Sequence, residues 1–90
     1  MRVAALCRVK LYRDNRGMSQ EKLSQVSGLT RQTIINVEKG KTIPSVLHAM
    51  QIARALGVPV EDLYYRVEFD AQLHPNDEAR GVVLVRWPKG

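Results

Sequence analysis

Between Thr30 and Lys41 the chain gathers Arg31, Gln32, Thr33, Asn36, Lys39 and Lys41, six side chains whose chemistry suits a nucleic acid. An arginine can grip both major-groove acceptors of guanine. Glutamine and asparagine can each bond the paired donor and acceptor of adenine, and a threonine methyl can rest on that of thymine. Lysines at the edge of such a set attract phosphates. These groups act together only if they share one face. Ile34 and Val37 stand three residues apart, so a helix that turns them inward leaves Arg31, Gln32, Thr33, Ile35, Asn36 and Lys39 on its outer side. Thr30 is placed to cap that helix and Gly40 to end it.

A second helix must hold the first in place. Ser19 can cap a run from Gln20 to Ser27, with Leu23 and either Val26 or Ser27 inward, and Gly28 closes it. A helix, a short glycine-containing turn and another helix make a helix-turn-helix arrangement, in which small Ser24 sits at the closest approach. Ahead of it, residues 4–16 read as a helix with Leu6, Val9, Tyr12 and Arg13 on one side, stopped by Gly17. Behind it, Ser45 follows Ile43 and Pro44 and caps a helix to Leu56, with Leu47, Met50, Ala53 and Leu56 at apolar spacing. A short last helix spans Val60 to Tyr64 after Pro59. Helices this short are marginal alone, so their stripes must pack together as a five-helix globule.

From Tyr65 the period changes. Tyr65, Val67, Phe69, Ala71 and Leu73 alternate with polar residues, and Val82 to Trp87 is a second β-prone run, so a C-terminal β-hairpin is expected. The expected division is a helix-turn-helix domain over 1–64 and a hairpin extension over 65–90. A lone hairpin is marginal in water, so its apolar face must cover either the globule or a second copy. The candidates for a dimer contact are Tyr65, Val67, Phe69, Val83, Val85 and Trp87.

Charge agrees with a polyanion partner. Residues 1–45 carry nine Lys or Arg against three acids, and residues 46–90 carry five against six. With 90 residues and 44% apolar content the chain has room for one small globular domain. Its apolar runs fall short of a membrane span, and a cytoplasmic location is expected. A single cysteine, Cys7, excludes an internal disulfide, and no metal-ligand cluster, paired carboxylates or activated nucleophile stands out in the sequence. No enzyme, cofactor or small-molecule ligand is expected.

Residues 9–64 resemble the phage-repressor (Xre/Cro) helix-turn-helix family. The likeness rests on Arg13, Gly17, Ser19-Gln20, the run Gly28 to Ile34, Glu38, Gly40-Lys41, Pro44-Ser45 and Ala55 to Val58. It implies a mainly α, five-helix lambda-repressor-like domain that binds double-stranded DNA through the major groove as a homodimer on a palindromic operator. Carried onto this chain, Arg31, Gln32, Thr33 and Asn36 read bases. Gln20, Lys39 and Lys41, with the amides around Gly40, hold phosphates, and Arg13 pairs with Glu38. Ile35 stays open between a thymine-methyl contact and an exposed aliphatic. The resemblance implies a transcriptional regulator, most often a repressor. The alternative is a protein-interaction module, such as an antitoxin whose hairpin binds a partner.

Overall fold

The computed structural model describes residues 2–69 and 83–86. In chain order these form β1 (Arg2–Cys7), α1 (Val9–Asn15), α2 (Gln20–Ser27), α3 (Arg31–Glu38), α4 (Val46–Leu56), α5 (Val60–Leu63), β2 (Tyr64–Phe69) and β3 (Val83–Arg86). All five expected helices are present. Three of them start on side-chain caps. Ser19 Oγ accepts from the Lys22 amide at 2.9 Å, Thr30 Oγ1 from Thr33 at 3.1 Å and Ser45 Oγ from His48 at 3.1 Å. Each such cap satisfies an amide that the first turn leaves unpaired, worth about 1 kcal/mol.

The expected helix over 4–16 is corrected in its first half, because Arg2–Cys7 is a strand and the helix begins at Val9. Val3 to Cys7 is a short apolar run whose periodicity does not separate strand from helix. The pairing of distant segments decides it. β2 runs antiparallel to β1 on one side, with Cys7 opposite Tyr64, and β3 runs antiparallel on the other, with Cys7 opposite Val83. The hairpin is therefore corrected in its pairing. The order β2-β1-β3 puts the N-terminal strand between the two C-terminal ones, which meet through it rather than with each other. Arg8 fixes the joint between β1 and α1: its amide donates to the Leu63 carbonyl and its Nε to the Asp62 carbonyl, both at 2.9 Å.

Sheet and helices share one core. Val9, Leu23, Ile34, Val37, Ile52 and Leu63 are fully buried, and Cys7, Val83 and Val85 join them from the strands. Val83 and Val85 thus cover their own globule, which removes them as dimer contacts. Tyr65 stays half exposed with the Arg8 guanidinium 5.5 Å over its ring. The strands carry Val67 and Phe69, whose side chains lie outside the described residues, as does Trp87.

The choice left open on α2 falls to Ser27, with Val26 exposed, and the inward stripe expected on α4 is corrected. On α4 the buried stripe is Ala49, Ile52, Ala53 and Leu56, so Leu47 and Met50 are 70% and 52% exposed. Both stripes share Ala53 and Leu56 and differ only in the first turns, where helical spacing allows either set. Small Ala49 is the residue turned inward there.

Cys7 lies in the core with its thiol donating to the Val37 carbonyl at 3.7 Å, and burial pushes its pKa up. A thiol kept neutral and out of solvent is a poor nucleophile. A thiol-specific reagent at neutral pH is therefore expected to leave Cys7 unmodified in native protein and to label it fully in denaturant. Rapid native labelling would mean that β1 is not held between its two neighbours.

Candidate nucleic-acid interface

The turn between α2 and α3 sets the angle of the candidate reading helix, and it is tied at several points. Gly28 takes the left-handed conformation, φ +78°, that ends α2, and its amide donates to the Ser24 carbonyl. Ser24 Oγ donates to the Leu29 carbonyl at 2.5 Å, and the Leu29 amide donates to Ser27 Oγ at 3.3 Å. From α4, Gln51 Nε2 donates to the Ser27 carbonyl at 3.1 Å. Gln51 was not legible as a turn residue, since it stands 24 residues from its partner.

The other end of α3 is held by a buried ion pair. Arg13 Nε donates to Glu38 Oε2 at 2.6 Å and Arg13 Nη2 to Glu38 Oε1 at 3.0 Å, a two-pronged contact that fixes position and plane together. The third nitrogen, Nη1, donates to the Met18 carbonyl at 2.7 Å, just ahead of α2. Gln20 Nε2 completes the set by donating to Glu38 Oε1 at 3.2 Å. One carboxylate thus ties α3 to α1 and to the start of α2. Its hydrogen bonds push the Arg13 pKa up, so the guanidinium stays charged.

With both ends fixed, Ile34, Val37 and Glu38 face inward and Arg31 and Gln32 are exposed. Gln32 Nε2 donates to Asn36 Oδ1 at 3.0 Å, so these two amides lie side by side on the outer face. Thr33 is half-buried, and its hydroxyl shares a 2.8 Å hydrogen bond with that of Thr30. That leaves chiefly its methyl for any base. The first turn of α3 holds no acid and opens on Arg31. A cation at a helix N-terminus opposes the helix dipole, and the arrangement suits an anion arriving from outside.

Lys39 and Lys41 are exposed beyond the end of α3. The expectation that amides around Gly40 hold phosphates is corrected. Gly40 has φ +71°, its amide donates to the Val37 carbonyl at 3.1 Å, and the Lys41 amide donates to the Asn36 carbonyl at 3.0 Å. These are the two bonds that close a helix on a left-handed residue, so both amides are already used. Ile35 is half-buried and lines a cavity with Val83, neither a free aliphatic nor a member of the outer amide row. Among the described residues no group of three His, Cys, Asp or Glu could hold a metal, and no helix is long and apolar enough to cross a membrane.

Five short helices with a pinned turn and an outward polar third helix define a helix-turn-helix protein. A family model described as helix-turn-helix matches residues 9–63, and the chain belongs to this Xre/Cro-like family. The uncharacterized HTH-type transcriptional regulator YgzD of Bacillus subtilis (strain 168) is 43% identical over 61 residues, 68% of this chain and 92% of its own length. The uncharacterized HTH-type transcriptional regulator MJ0272 of Methanocaldococcus jannaschii is 44% identical over 57 residues, 63% of this chain and 86% of its own. Among solved structures, the restriction-modification controller protein C.AhdI from Aeromonas hydrophila superposes with a TM-score of 0.61 at 34% identity. That match covers 62% of this chain and 85% of the other. All three strands, β1, β2 and β3, lie outside the family match.

Replacing Glu38 by Ala leaves the buried Arg13 charge without its partner, and breaking such a pair typically costs about 3–5 kcal/mol. Urea unfolding of Glu38→Ala is expected to show a loss of this order. The double change Arg13→Met with Glu38→Leu is expected to recover most of it. A loss below about 1 kcal/mol for the single change would mean that the pair does not anchor α3.

Proposed function

We propose that this chain is a sequence-specific double-stranded DNA-binding transcriptional regulator, acting in the cytoplasm as a homodimeric repressor of a palindromic operator and not as an enzyme. The observation that carries the reading is the outer face of α3, where Arg31, Gln32 and Asn36 stand together on a helix fixed at both ends. Arg31, Gln32, Asn36 and the Thr33 methyl read base edges in the major groove, while Gln20, Lys39 and Lys41 hold the backbone. The similarity to uncharacterized HTH-type transcriptional regulators supports the same assignment.

For the dimer, the strand residues Val83 and Val85 are spent inside the protomer, and another surface takes their place. Ile43, Val46, Leu47 and Met50 are each more than half exposed and carry no charge. They lie at and just before the start of α4, two residues beyond Lys41. Exposed aliphatics this close together mark a contact surface. In a chain of net charge +5, an uncharged patch is where two copies can meet without repulsion. The same patch favours a second reading, a module that grips another protein and binds no specific DNA. Gel shift against random genomic fragments separates the two, because the regulator retards a subset of fragments and the module retards none.

Gln32→Ala is expected to cost about 1–3 kcal/mol at one operator position and to relax base preference there, read by competition with singly substituted operators. An equal loss on every sequence would show that Gln32 does not read bases. Leu47→Glu is expected to convert the dimer to monomer in sedimentation equilibrium while the helical circular dichroism stays unchanged. A dimer that survives this change would place the interface elsewhere.

A further inference from the structure

A cavity of about 220 Å³ opens beside the reading helix, lined by Lys10, Gln20, Ile35, Glu38, Lys39 and Val83. Four elements that are distant in sequence build it: α1, the start of α2, the last turn of α3 with its cap, and β3. Its size decides what can occupy it. Pockets for drug-sized molecules run to roughly 300–1,000 Å³. At about 220 Å³ this one falls below that range, which disfavours a bulky effector and leaves room for a compact group.

Its charge decides the sign of that group. Two lysines, Lys10 and Lys39, are among its lining residues, and the one carboxylate-bearing residue there, Glu38, is already engaged on both oxygens by Arg13 and on Oε1 by Gln20. Counting Arg13 behind Glu38, the wall carries two uncompensated positive charges over a floor of Ile35 and Val83. A tetrahedral oxyanion meets these requirements. Lys39 also borders the outer face of α3, so an anion here lies alongside any duplex that α3 enters.

We infer that this cavity is the seat of one DNA backbone phosphate, and that Lys10 is a phosphate-binding residue completing it with Gln20 and Lys39. The inference rests on the DNA-binding reading above and adds α1, through Lys10, and the β3 wall to the bound surface. Val9 and Arg13 anchor α1 in the core on either side of Lys10 in the sequence, so the ammonium rides on a fixed helix. β3 closes the seat with Val83. The C-terminal strand thereby shapes the DNA-facing side through Val83.

The test measures operator affinity of the full chain at several salt concentrations for wild type, Lys10→Met, Lys10→Arg and Arg54→Ala. Arg54 lies in the last turn of α4 and does not line the cavity, so it controls for loss of one positive charge. One phosphate contact contributes about 0.9 to the log–log salt slope, so the fall in affinity between 50 and 200 mM salt is expected to shrink by roughly three- to fourfold in Lys10→Met. The affinity lost is expected to be the same on operator and scrambled duplex, with wild-type slope restored in Lys10→Arg and kept in Arg54→Ala. A Lys10→Met slope equal to that of wild type or Arg54→Ala overturns the seat. Exchanging chloride for inorganic phosphate at matched ionic strength is expected to leave wild-type affinity unchanged. Displacement of DNA by millimolar phosphate would instead assign the cavity to a free anion. If wild type binds no duplex at any salt, the DNA-binding reading falls; if it binds and Lys10 is silent, this inference alone falls.

Discussion

The buried pair of Arg13 and Glu38 is the constraint on which the rest of the molecule depends. Taking two charges out of water is costly, and their mutual attraction returns that cost only with close geometry and satisfied neighbours. Both conditions are met here, because every guanidinium nitrogen is used and Gln20 bonds the carboxylate as well. The consequence is orientation more than net stability. An apolar pair of similar volume would fill the space equally well, but would tie neither α3 to α1 nor the start of α2 to the end of α3. What the pair secures is the direction of one helix.

The remaining ties serve the same end. Ser24, Ser27 and Gln51 fix the turn before α3, and the capping bonds at Gly40 fix the chain after it. A helix of eight residues has little stability of its own, so its face is defined by these external anchors. Preorganisation of this kind lowers the ordering cost of binding, which is what the proposed base reading by side chains such as Gln32 and Asn36 requires. The sheet takes part too. β1 and β3 place Cys7, Val83 and Val85 under the helices, and Val83 reaches the rim beside Ile35.

How much of this was legible in the sequence follows from the range of each interaction. The capping serines and threonine, the glycine stops and the two helices around Gly28 are local, with partners within a few residues, and they stand where their patterns put them. Arg13 with Glu38 became legible through resemblance, since nothing local joins residues 25 apart. β1 was not legible, because Val3 to Cys7 becomes a strand by pairing with segments more than fifty residues away. The inward stripe of α4 was half legible: the spacing admitted two stripes, and packing selected the one beginning at Ala49. The cavity residues Lys10 and Val83 could not be grouped from sequence, as four separate elements bring that lining together.

The central claim, that the outward face of α3 reads base edges as one half of a symmetric pair, is tested most directly by selecting bound duplexes from a random pool. The account predicts enrichment of an inverted repeat whose half-sites lie one helical turn apart, about 34 Å between centres. A pool that stays random after repeated rounds, or one that yields a motif with no two-fold symmetry, would contradict it.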